Sequence, residues 1–211
     1  MAVFAGSDAL LERFERTNAA RERALAETRQ IVRLSANAIR AVHRDEYAVA
    51  EGLVAQAGEL MRGLHMALVG YPNLYWTGYV QDAHKEFVEA QIVLALVAGR
   101  AIPGPEALGV ADPVYLNGLG EAAGELRRYA LDALRRGVFT RAEELLGEMD
   151  DIYSLLVTID YPDALTGGLR RTTDMVRGVL ERTRADVTLT LQQQQLMQAL
   201  DRVQGRLSTP Q

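Results

Sequence analysis

The chain is predicted to be all-α. Three features carry that prediction: apolar residues recur at spacings of three and four, period-two alternation is missing, and the six prolines fall at the seams between periodic segments. Ser7 stands where it can cap a first helix reaching about Arg44, and Asp45 restarts a second that ends near Gly70. The segment GYPNLYW, residues 70–76, is a proline-marked connection. A third helix follows and ends near Gly99. The stretch AIPGPEALGVADP, residues 101–113, holds too many prolines and glycines for a regular helix, so the fourth helix begins beside Pro113 and closes at Gly137. A fifth covers Thr140 to Thr158. Pro162 suits an early position of the last helix, which runs past Arg182 into the glutamine-rich tract at 192–195. The expected architecture is a bundle of about six to seven helices forming one domain over residues 1–211. No linker is long enough to divide it, and no internal repeat is present.

Composition narrows the chemistry. With 48% hydrophobic and 24% charged residues, the 211-residue chain reads as a globular domain. No run approaches the roughly 18 apolar residues of a membrane span, and Met1 to Ser7 lacks the charged start of a signal peptide, so the expected address is the cytoplasm, away from any membrane. The absence of cysteine excludes disulfides, thiol nucleophiles and thiolate zinc sites together. Any metal must therefore be held by oxygen or imidazole. A formal charge of −5 disfavours a partner wrapped over the whole surface by phosphate neutralisation, though a local basic groove stays compatible with it.

The stretch AHKEFVEAQIVLALVAG, residues 83–99, poses the sharpest question. From Phe87 to Ala98 every residue is apolar except Glu89 and Gln91. A carboxylate on such a surface must take up a proton, pair with a cation or bind a metal. Glu86 lies three residues before Glu89, about 60° away around a helix and one turn along it. On the fourth helix EAAGE sets Glu121 and Glu125 four apart, about 40° around. Each pair can aim two carboxylates at one point. The Ala122, Ala123 and Gly124 spacer would let a neighbouring helix come close. Converging carboxylates repel unless a divalent cation or protons offset them, and oxygen-only donors favour Mg²⁺, Mn²⁺ or Ca²⁺ over zinc. Glutamates at helical spacing are most often a solvated face. The Glu-x-x-His repeats of diiron bundles are absent before His43, His65 and His84.

The segments EFVEA (86–90), YLNGLGEAAGELRRYALDAL (115–134), MDDIYSLL (149–156) and LRRTTDMVRGVLE (169–181) resemble the translin superfamily. The closer likeness is to its catalytic branch, translin-associated factor X (TRAX), over about Arg33 to Arg184. The resemblance implies that Glu86, Glu89, Glu121 and Glu125 are the catalytic, metal-binding acids, with Glu121 standing where the family usually has aspartate. It also implies an all-helical subunit in a hollow octameric barrel that cleaves single-stranded RNA with Mg²⁺, or Mn²⁺ in its place. A homo-oligomer is the simpler expectation. By that reading the cation offsets transition-state charge and activates water, and Glu125 takes the water's proton. The non-catalytic branch binds nucleic acid through basic residues near the same helix. Here Val80 and Asp82 replace two of those positions, while His84 falls near one of its histidines.

RNA must also be held. Arg29, Arg33, Arg40 and Arg44 lie within about 60° of one helix face. Such a stripe is either a solvent face or a track for a nucleic-acid backbone. His84, two residues before Glu86, is close enough to the acids to serve substrate phosphate. Tyr71, Tyr75, Trp76 and Tyr79 read better as packing residues than as a base-stacking platform. On the last helix Leu189, Leu196, Leu200, Val203 and Leu207 form an apolar stripe that either packs on the chain's own core or marks an oligomer contact. The expected function is a Mg²⁺-dependent endoribonuclease. Its alternative is a translin-like oligomer that binds single-stranded RNA or single-stranded DNA without cutting it. A helical scaffold with no nucleic-acid role is a third reading.

Overall fold

A computed structural model describes the backbone of residues 6–207 and side chains through residue 204. All regular structure among the described residues is helical, as the spacing of apolar residues predicts. The helices are α1 (Ser7–His43), α2 (Tyr47–Leu68), α3 (Pro72–Tyr75), α4 (Gly78–Val97), α5 (Pro105–Leu108), α6 (Asp112–Arg135), α7 (Phe139–Thr158), α8 (Asp163–Thr166) and α9 (Leu169–Leu207). They gather into two compact units, one ending at Leu119 and one starting at Gly120. Helix α6 runs unbroken through that boundary.

In the first unit α4 lies against both α1 and α2. The apolar run read in the sequence is buried from Ile92 to Val97, together with Phe87, Val88 and Ala90. Each large side chain so covered contributes about 1.5–3 kcal/mol, which is why this stretch is the unit's core. Helix α1 begins to bury residues only at Ala24, and continues through Ile31, Ala38 and Val42. Its first turns leave Leu10, Leu11 and Phe14 exposed.

Three local expectations are corrected. Ser7 does not cap α1: the cap is Gly6 at φ 90°, and no side chain bonds the first turn. Asp45 does not restart a helix but turns the chain in the left-handed region, at φ 59°. Aspartate tolerates that conformation better than most residues, and α2 resumes only at Tyr47. Pro162 does not enter the last helix. It precedes the single turn α8, and Gly167 and Gly168, at φ 60° and 82°, break the chain before α9. The loops around Pro72 and Pro105 each hold one helical turn, with proline at its start.

In the second unit α7 packs along α9. Arg127 of α6 ties to α9 by donating to Thr183 Oγ1 at 3.0 Å and Asp186 Oδ2 at 2.8 Å. Arg184 of α9 pairs with Asp150 of α7 at 2.6 Å. Beyond Val187 the apolar stripe of α9 is uncovered: Leu189, Leu196, Leu200 and Val203 are 57%, 61%, 53% and 54% exposed. The side chain of Leu207, the stripe's last member, lies outside the described residues. No helix among the described residues is long and apolar enough to cross a membrane.

Candidate metal centre

Glu86 and Glu89 leave α4 on the side away from its contact with α2, and both are half-buried. Helix α6 approaches α4 at Gly118. A Cβ there would stand 2.7 Å from Val88 Cγ1 and 2.9 Å from the Lys85 carbonyl oxygen, so only glycine admits the contact. Glu121 follows one turn along the same unbroken helix. Glu86, Glu89 and Glu121 each offer a carboxylate oxygen within 4.8 Å of the others. Glu125, about 6 Å further along the axis, is not of that group. It sits half-buried with Arg128 at 3.7 Å. The donor set is carboxylate oxygen throughout, which suits a hard divalent cation such as Mg²⁺ or Mn²⁺.

Other anticipated residues are placed differently. The spacer glycine Gly124 makes no close approach, since a Cβ there meets nothing within 4 Å. The close approach belongs to Gly118, whose position inside a helical pattern was the available signal. Arg29, Arg33, Arg40 and Arg44 are all exposed. They lie about 180° around α1 from Ile31, Ala38 and Val42, the side that packs against α2 and α4. The stripe is therefore not on the face of the acids. Arg40 donates to Asn37 Oδ1 and Arg44 to Glu46 Oε2, both at 2.6 Å.

His84 requires a correction, because it is 1% exposed and cannot meet substrate phosphate. It points to the opposite side of α4 from the two glutamates, beside Tyr75, whose ring lies 5.7 Å away. Burial first, and the neighbouring His65 second, push its pKa down to about 4. Tyr75 also meets His65 and Trp76 edge-on, so the aromatic segment packs on itself while Trp76 keeps its outer face exposed. A stability signature follows. Above pH 6.5 the imidazole is neutral in both folded and unfolded chains and costs nothing. Between 6.5 and about 4 only the unfolded chain takes up the proton, so stability falls as pH falls through that window. The total loss is about 3 kcal/mol. Urea unfolding of wild type and His84→Leu in EDTA should show the variant lacking this part of the acid slope; parallel slopes would contradict it.

Half-buried oxygen donors on two packed helices define a class: all-α proteins with a carboxylate centre. No family model matches the chain. The uncharacterized protein MJ0175 of Methanocaldococcus jannaschii is 32% identical over 190 residues, covering 89% of this chain and 84% of that one. The structure of AfC3PO matches at 34% identity and TM-score 0.80, covering 87% of this chain and 95% of that chain. The same protein in complex with duplex RNA matches over the same extents at TM-score 0.79. Apo-NeC3PO, at 23% identity and TM-score 0.82 over 90% of this chain and all of its own, shares the fold. C3PO assemblies are of translin and TRAX type, and the chain belongs to the translin superfamily.

Proposed function

We propose that this protein is a divalent-metal-dependent endoribonuclease of the TRAX-like branch. The observation that carries the reading is the three-carboxylate cluster of Glu86, Glu89 and Glu121. Those three would hold Mg²⁺, with Mn²⁺ as a substitute. Such a cation, when bound, supplies charge at the scissile phosphate and acidifies water. Glu125 stands one turn on along α6, where it would accept the proton of the attacking water. Arg128, beside Glu125 and exposed, offers a guanidinium to the RNA backbone. That role replaces the stripe on α1, which faces elsewhere. Glu121, longer by one methylene than the family's aspartate, still reaches the oxygen cluster.

Single-stranded RNA is the substrate implied by the resemblance, and the duplex RNA bound by AfC3PO adds a second form to test. A homo-oligomer, octameric and hollow by likeness to the family, would bury the uncovered stripe of α9. Its setting would be the cytoplasm. Labelled single-stranded and duplex RNA, incubated with protein in Mg²⁺ or in EDTA, should be cut only with Mg²⁺, while native mass spectrometry counts the subunits. Salt-sensitive binding without metal-dependent cutting would reject the nuclease in favour of an RNA- or DNA-binding oligomer. No binding at all would reject both.

A further inference from the structure

The first turns of α1 stand against the connection between α2 and α4. Arg13, Arg16 and Thr17 line one side of a cleft of about 480 Å³, and the segment from Gly70 to Leu74 lines the other. That volume is within the range of small-molecule sites. The two arginines are three residues apart, about 60° around the helix and roughly 4.5 Å along it, so both guanidinium groups serve one cleft. The opposite wall is a fixed turn: the Tyr71 carbonyl accepts from the N–H groups of Leu74 at 2.9 Å and Tyr75 at 3.1 Å. The cleft lies wholly within the first unit, and Glu86, Glu89 and Glu121 take no part in its lining.

Three polar side chains of this lining are uncommitted. The Arg13 guanidinium has neither an acidic partner nor a hydrogen bond among the described residues, and the same holds for the hydrogen-bonding groups of the Tyr71 hydroxyl and the Asn73 carboxamide. Arg16 meets Glu12 at 3.2 Å, but that pair is exposed on both sides and held weakly, and a guanidinium has five N–H donors to share. Thr17 Oγ1 donates to the Arg13 carbonyl at 2.9 Å and so serves its own helix. Among the described residues no acid lines the cleft, which leaves its two arginines as a local positive site in a chain of formal charge −5. Two guanidinium groups facing an amide and a phenol are a donor set for phosphate oxygens. A phosphodiester carries a single negative charge and would leave one arginine unbalanced, whereas a phosphomonoester carries about −1.5 to −2 at pH 7.

We propose that this cleft binds a phosphomonoester, with Arg13 and Arg16 balancing the charge of its phosphate and Tyr71 and Asn73 donating to the phosphate oxygens. The cleft has room for more than the phosphate, and Pro72 and Leu74 offer an apolar wall to the organic part. The group recognised is the same whether it belongs to a free nucleotide or to the terminus of an RNA strand. The site is separate from the carboxylates and does not rest on the nuclease reading.

The test uses the full chain in metal-free buffer at low ionic strength, so that failure of the nuclease reading leaves it intact. Inorganic phosphate, adenosine and adenosine 5′-monophosphate are titrated calorimetrically at up to millimolar concentration. One single-stranded oligoribonucleotide, carrying either a 5′-phosphate or a 5′-hydroxyl, is titrated in parallel. The monophosphate is expected to bind at least about tenfold more tightly than adenosine or inorganic phosphate, and to lose at least about tenfold in Arg13→Gln. Arg13 is exposed on its helix, so the variant keeps the fold. Arg170→Gln removes the same charge from exposed α9 surface and should bind the monophosphate as wild type does, which separates the cleft from overall charge. Should the monophosphate fail while wild type prefers the 5′-phosphorylated strand by about tenfold or more, and Arg13→Gln lose that preference, the source is a strand terminus. Absence of a phosphate preference in both arms, inorganic phosphate binding as tightly as the monophosphate, or equal losses in Arg13→Gln and Arg170→Gln overturns the proposal.

Discussion

Replacing Glu89 with glutamine is expected to reduce Mg²⁺-dependent RNA cleavage by roughly 100-fold or more while leaving RNA affinity nearly unchanged. The substitution keeps the shape of the side chain and removes one negative charge from a cluster of three. If the cluster holds a cation, the lost ligand removes several kcal/mol of charge stabilisation at the phosphate, and about 1.4 kcal/mol corresponds to each factor of ten. A second readout separates metal loss from a folding defect. Mg²⁺ bound only to the folded chain raises the unfolding temperature by mass action, and that rise should shrink in Glu89→Gln while the melting temperature in EDTA is maintained. The same comparison on Glu125→Gln distinguishes roles, since Glu125 lies outside the three-residue group: cleavage should fall with the Mg²⁺-induced rise intact. Equal cleavage by wild type and Glu89→Gln would remove the carboxylates from the reaction.

The long helices were legible because their signal is periodic over many residues, and α1, α2, α4, α6 and α7 start and stop within a few residues of expectation. Single turns are not legible in that way. α3, α5 and α8 are four residues each, too short to show a period. Backbone conformation was hidden for a related reason: nothing local announces that Asp45 takes positive φ or that Gly6, not Ser7, is the N-cap of α1. The acid pairs could be read as pairs because spacing along one helix fixes relative direction. What lay beyond reach was which residue meets another helix. His84 looks like any polar residue near an active site until α2 and Tyr75 cover it. Gly118, Gly120 and Gly124 look alike in the sequence, yet the first meets Val88, the second Thr172 Cγ2 and the third nothing.

That difference predicts opposite signs for one chemical change. Alanine is favoured over glycine by about 1 kcal/mol in a helix interior. At Gly124 the added methyl meets open space, so Gly124→Ala should raise stability by up to about that amount. At Gly118 the methyl would fall 2.7 and 2.8 Å from Val88 Cγ1 and Cβ, and 2.9 Å from the Lys85 carbonyl oxygen. The side chain could be trimmed by a second substitution, but the carbonyl belongs to the backbone of α4, and it can yield only if the two helices separate. Overpacking of this kind costs about 1–3 kcal/mol, which exceeds the gain in helix propensity. Gly118→Ala should therefore unfold at lower urea concentration than wild type, and Val88→Ala should restore only part of the loss. Moving α6 off α4 also carries Glu121 away from Glu86 and Glu89, so Mg²⁺-dependent cleavage should fall further than stability alone would explain. At Gly120 the obstacle is the Cγ2 methyl of Thr172, which the added carbon would overlap, and Thr172→Ser removes that methyl and should rescue Gly120→Ala. A Gly118→Ala protein as stable as wild type would mean that α4 and α6 do not touch where the carboxylate cluster requires them to.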